Sequence, residues 1–151
     1  MRGTPRHILA CADGSTLSRR AVAAAAGLAG RCGAKLTVVF VIPPYVLPSY
    51  VEAVQYVPGV TPHFYKQRAN ALMKKALAPA ERQARKAGIR CKSLGVTAAE
   101  PWRGILHAAR TKKCDLIVMA SHGRRGIARA LLGSETQKVL THSRVPVLVV
   151  R

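Results

Sequence analysis

The sequence predicts an α/β chain built on an open, five-stranded, mostly parallel sheet with helices on both faces. Three observations carry this. Apolar runs of strand length alternate with segments of helical period along all 151 residues. Strand, helix and the β-branched run Lys35–Ile42 follow one another in about 35 residues, a βαβ unit whose crossover is expected to be right-handed. Finally, Asp115–Met119 (DLIVM) sets four apolar residues in a row, too short for a helix, ahead of a glycine-bearing loop.

Each element has its own local reason. His7–Ala12 (HILACA) is apolar and bounded by Pro5 and by Asp13-Gly14-Ser15, so it reads as the first strand. Ser15 is a suitable N-cap, and Leu17, Ala21, Ala25, Leu28, Ala29 and Cys32 then recur at helical spacing until Gly33. Lys35–Ile42 is the second strand. Residues 43–63 hold five prolines, a density that forbids a regular element and marks a loop: a lid, a partner surface or a disordered insertion. Phe64–Ala87 is a second helix with Tyr65, Ala69, Leu72, Met73, Ala76, Leu77, Ala80 and Ala84 inward, and Pro79 is expected to kink or divide it. Ile89–Val96 has strand length. Pro101 suits the first turn of a third helix that Lys112-Lys113 closes. After the fourth strand, Gln137–His142 gives a short helix and Val145–Val150 the last strand.

The segment between those last strands holds the strongest motif. Ala120-Ser121-His122-Gly123 is followed by nine residues, Arg124 to Leu132, and then by Gly133-Ser134. Glycines let a backbone approach a phosphate, and a helix N-terminus turns free N–H groups toward it. This frame resembles that of the ATP-binding universal stress proteins: Gly, two residues, Gly, nine residues, Gly, then Ser or Thr. Three of its four positions match, and Ala120 stands where the pattern has its first Gly, adding a methyl group.

The resemblance covers nearly the whole chain apart from the proline-rich loop, as a single domain over residues 1–151. It implies a Rossmann-like nucleotide-binding fold with strand order 3-2-1-4-5, which sets the first and fourth strands side by side. In such sheets ligands sit beyond the carboxyl ends of the strands, where the strand order reverses. By the resemblance, Gly123, Gly133 and Ser134 hold phosphates, with Arg124, Glu135 and Thr136 beside them and Ala120 beneath. Asp13, next to Ala12, lies at the ribose or at a Mg²⁺ ion bridging to the phosphates, and the main chain of Val41 meets the base. The implied cofactor is ATP, or AMP or ADP.

Plainer readings stand beside these. Asp13 is also a natural turn or capping carboxylate, and Ser134 an N-cap. The two glycines also suit ordinary turns. Arg124, Arg125 and Arg129 either clamp phosphates or face solvent. His122 has no nucleophile or acid partner at a telling spacing. The chain carries no Walker A sequence, no nucleophile elbow and no metal-ligand spacing, so its residues give catalysis little support, and the resemblance implies at most slow ATP hydrolysis or autophosphorylation.

Charge and cysteines complete the reading. Twenty-five Lys and Arg oppose six acids, a formal +19, and Lys66–Lys92 holds nine cations against Glu81 alone. Such a balance attracts polyanions. It keeps open an alternative: a protein without nucleotide whose basic surface binds an acidic protein or nucleic acid, although no DNA-binding motif or aromatic reading surface stands out. Cys11, Cys32, Cys91 and Cys114 are dispersed, as expected of free thiols in a reducing cytoplasm. No apolar run has the length of a membrane span, and the N-terminus does not read as a signal peptide. By the resemblance, the last strand, residues 145–150, pairs with its copy in a homodimer.

Overall fold

In the computed structural model, residues 3–44, 61–86, 88–123 and 132–151 are described. Five parallel strands form one sheet in the order β3-β2-β1-β4-β5: β1 (His7–Cys11), β2 (Lys35–Ile42), β3 (Cys91–Thr97), β4 (Leu116–Ala120) and β5 (Val147–Val150). The expected strand order is therefore the observed one. Four helices alternate with them: α1 (Thr16–Cys32), α2 (Pro62–Lys86), α3 (Pro101–Thr111) and α4 (Ser134–His142).

The three inner strands, β2, β1 and β4, are apolar on both faces because both faces are covered. Ile8, Ala10, Val38, Phe40 and Val118 pack under α1 and α2. Leu9, Val39, Ile117 and Met119 pack under α3 and the α4 residue Val139. The core is aliphatic, and α1 approaches the sheet through alanines (Ala21, Ala25, Ala26 and Ala29), whose small side chains permit close helix–sheet contact. The edge strands β3 and β5 have more broken burial patterns.

The helix limits follow local chemistry. Ser15 caps α1, its hydroxyl accepting from the Ser18 N–H at 3.0 Å, and Gly33 ends it at φ +63°, the left-handed region that glycine enters without penalty. Two expectations for α2 need correction. The helix runs unbroken through Pro79 and already begins at Pro62. Its buried residues are Ala76, Leu77, Ala80 and Ala84, whereas Leu72 is 46% exposed. Full burial begins at Ala76, but Met73 already packs against the core beside Gly95 of β3, so Leu72 is the predicted inner position that lacks a surface to bury it. Smaller shifts affect α4, which begins at Ser134 rather than Gln137, and β5, which begins at Val147 rather than Val145.

A candidate nucleotide site at the carboxyl edge of the sheet

β1 has β2 on one side and β4 on the other, so the strand order reverses between β1 and β4. The chain leaves both of these strands at the same edge. Past β1, Ala12 stays in the sheet through its N–H to the Val39 carbonyl (2.9 Å), and Asp13 begins a turn. Asp13 Oδ1 accepts from the Ser15 N–H at 2.8 Å, and Gly14 follows at φ +85°. The turn reading of Asp13 thus holds for one carboxylate oxygen. The other, Oδ2, lies 3.0 Å from the place a Cβ on Gly123 would take. The loops after β1 and β4 consequently meet, and glycine at 123 is what lets them approach.

Past β4 the chain is tied to α4. The Ser121 N–H donates to the Val150 carbonyl (2.8 Å), and the Ser121 carbonyl accepts from the Gly133 N–H (2.8 Å). A Cβ on Gly133 would stand 3.3 Å from that carbonyl oxygen and 3.5 Å from His122 Cα, so the motif's last glycine serves close backbone approach. Gly133 is the N-cap of α4 and supplies no side-chain cap, and the first backbone bond of the helix is Gln137 N–H to the Gly133 carbonyl (3.0 Å). The N–H groups of Ser134, Glu135 and Thr136 therefore form the first turn, which has no intrahelical acceptors.

The side chains of the predicted residues divide. Ser134 is exposed at the helix start. The Thr136 hydroxyl is 3% exposed and donates to the Ala120 carbonyl at 3.0 Å, so it closes α4 onto β4. Glu135 turns away: Oε2 accepts from the Trp102 N–H (2.9 Å) in the first turn of α3, and Oε1 lies 3.3 Å from Lys138 Nζ. Both side chains are thus engaged within the fold, and their backbone N–H groups lie in the first turn of α4. Ala120, at the end of β4, is buried, and its methyl belongs to the packed floor. Val41 lies one residue before the end of β2 and packs its side chain close to Gly104 of α3. Arg124 lies outside the described residues.

One residue escaped the sequence reading. Arg19 donates from Nη1 to the Gly14 carbonyl and from Nη2 to Thr16 Oγ1, both at 2.9 Å, bringing a guanidinium to the Asp13 turn. A cation four positions after the N-cap of the helix that opens a site was the available signal. With Ala12, Arg19 lines a cleft between α1 and α2 beside this edge.

Among the described residues, no group of three or more His, Cys, Asp or Glu side chains is placed to hold a metal ion. A cation here would take Asp13 as a single protein ligand, the rest coming from phosphate oxygens and water, as hard divalent ions accept. The cysteines carry no disulfide; Cys11 has its thiol pushed up to about 12, by burial first and by the Asp13 charge next, which makes it an inert packing group.

An open parallel α/β sheet with two strand-end loops and a helix N-terminus converging at its reversal point is the architecture of a nucleotide-binding protein. The universal stress protein family model matches residues 4–151. Universal stress protein YxiE of Bacillus subtilis is 34% identical over 148 residues, covering 95% of this chain and 97% of that protein. Universal stress protein UspA from Lactobacillus plantarum superposes with a TM-score of 0.77 at 22% identity, covering 99% of this chain and all of that one, and shows the same fold. A universal stress protein crystallised in complex with cAMP superposes at 0.72, with 29% identity and 99% of each chain covered. The chain belongs to the universal stress protein family.

Proposed function

We propose that this protein binds an adenine nucleotide, ATP in particular and with Mg²⁺, at the carboxyl edge of β1 and β4, and serves as a regulatory module of the stress response in the cytoplasm. The observation that carries the reading is the convergence of Asp13, Gly123 and the first turn of α4. A backbone cradle that a Cβ at 123 would fill, with N–H groups and a helix dipole at one end, suits a phosphate chain. Asp13 suits a ribose hydroxyl or a bridging cation, and the backbone of Val41 suits the base edge. The cAMP complex of a 29% identical relative supports adenine as the base.

Calorimetric titration with ATP and Mg²⁺, beside GTP and tripolyphosphate, tests this. About one ATP per chain, bound clearly tighter than the other two, is the expected result; three equal, salt-sensitive isotherms would reject an adenine-reading site. The variant Gly123→Val directs its branched side chain at Asp13 Oδ2 and is expected to weaken ATP at least tenfold.

The same reading includes a homodimer through residues 145–150. It is supported by Leu148, 42% exposed on the edge strand β5, an apolar edge that pairing would cover. Sedimentation should give a dimer for the native chain and a monomer for Leu148→Lys; a native monomer at tens of micromolar rejects it.

A further inference from the structure

The outward face of α2 carries seven cations (Lys66, Arg68, Lys74, Lys75, Arg82, Arg85 and Lys86) and a single acid, Glu81. All seven are exposed. Arg68, Lys75 and Arg82 follow at intervals of seven residues, so they form one row with a step of about 10 Å along the helix. The row lies opposite the buried side, Ala76, Leu77, Ala80 and Ala84. At its start, Phe64 is 45% exposed with the Arg68 guanidinium 5.9 Å from its ring centre.

A basic helix face is ordinarily balanced by acids, and here the described acids other than Glu81 stand outside α2. The Glu81 carboxylate accepts from the Ser93 hydroxyl on β3. Asp115 accepts from the Arg6 and His7 N–H groups, and Asp13 from Ser15. Glu100 and Glu135 join α3 to α4 through Trp102, Arg103 and Lys138. Among the described residues, no acid forms an ion pair with Arg68, Lys75 or Arg82.

We propose that this α2 face binds the phosphate backbone of double-stranded nucleic acid without reading its sequence. Phe64 and Leu72 are exposed in the first half of α2, whereas beyond Lys75 the described face holds no exposed large apolar side chain to anchor a protein partner at an interface centre. The apolar side of the second half of α2 is already packed on the sheet, which leaves only Phe64 and Leu72 for insertion into an anionic membrane surface. A row of cations spaced along one helix face fits a rod of phosphates, and backbone contacts position without specifying. The face stands apart from the Asp13–Gly123 edge, so this inference does not depend on nucleotide binding there.

The test is fluorescence anisotropy with a labelled 20-base-pair DNA duplex of arbitrary sequence, titrated at several salt concentrations. Two triple variants remove equal charge, 19 − 3 = +16 in each case. Arg68→Gln/Lys75→Gln/Arg82→Gln should bind at least tenfold more weakly, with the slope of log K against log salt reduced by about 2.7. Arg110→Gln/Lys112→Gln/Arg144→Gln, whose changes lie away from α2, should stay within about threefold of the native chain. Equal losses in both would reduce the effect to net charge and overturn the proposal, as would polyglutamate or phosphatidylserine vesicles competing as well as unlabelled duplex. On the native chain, duplex should protect Lys74 and Lys75 from acetylation; protection confined to other lysines would overturn it independently of how the variants fold.

Discussion

At the scale of single residues, the candidate site is made of backbone, and the side chains around it are mostly its fasteners. Thr136 shows this best. Its hydroxyl, one of the few buried polar groups, holds the Ala120 carbonyl at 3.0 Å and so fixes the first turn of α4 against the end of β4. Thr136→Val keeps the shape and removes the donor, leaving that carbonyl short of a partner. The expected loss is about 1–2 kcal/mol, read by urea denaturation, together with weaker ATP binding as α4 shifts. An unchanged midpoint would show that the bond does not support the fold. His7 gives a pH dependence. Burial lowers its pKa, the Lys35 charge adds to that, and its ring nitrogen Nε2 lies 2.9 Å from the buried Thr37 hydroxyl. The unfolded chain takes up a proton near pH 6.5 that the folded chain resists. Stability attributable to His7 is therefore complete above about pH 6.5 and declines as the pH falls through that value toward the lowered folded pKa. Comparing denaturation midpoints at pH 7.5 and 5.5, His7→Gln should lose less than the native chain; an equal loss would remove His7 as a contributor.

At the scale of elements, α3 and α4 stabilise one another at the termini where each is weakest. Glu100 precedes Pro101 as the N-cap of α3 but makes no side-chain cap, and the missing acceptor comes from Glu135 across the interface. The rings of Trp102 and His142 pack at 4.6 Å in the same cluster. Glu135→Ala should lower stability by about 1 kcal/mol, within the range of lost caps, and leave ATP affinity within twofold. A large loss of affinity without a loss of stability would return Glu135 to the ligand shell as a side chain. This is also where sequence reading reached its limit. Ser15 and Gly33 were legible as the ends of α1, because their chemistry is local to the helix. The Glu135–Trp102 bond joins residues 33 apart, and no spacing rule addresses such a pair. The inner face read for α2 departs from the structure at Leu72 for a related reason: periodicity marks it as apolar, but a neighbouring surface covers only the side that carries Met73, Ala76, Leu77, Ala80 and Ala84.

At the scale of the whole molecule, strand order was legible through the resemblance carried by Ala120–Gly123 and Gly133-Ser134, and the alternation of strands and helices through composition alone. What the motif could not convey is how its parts divide the work. Its glycines bring the β1 and β4 loops together and set α4 on Ser121, while its Ser134 and the two residues after it present N–H groups. The two proposals thus concern regions of different kind, a backbone cradle at the sheet edge and a row of side-chain cations on α2. Amide NMR of labelled protein titrated with ATP and Mg²⁺ separates them directly. The account predicts saturating shifts at Gly14, Gly123, Ser134, Glu135 and Thr136, with the amides of residues 68–86 little changed. Shifts concentrated on α2, with the first turn of α4 silent, would contradict it.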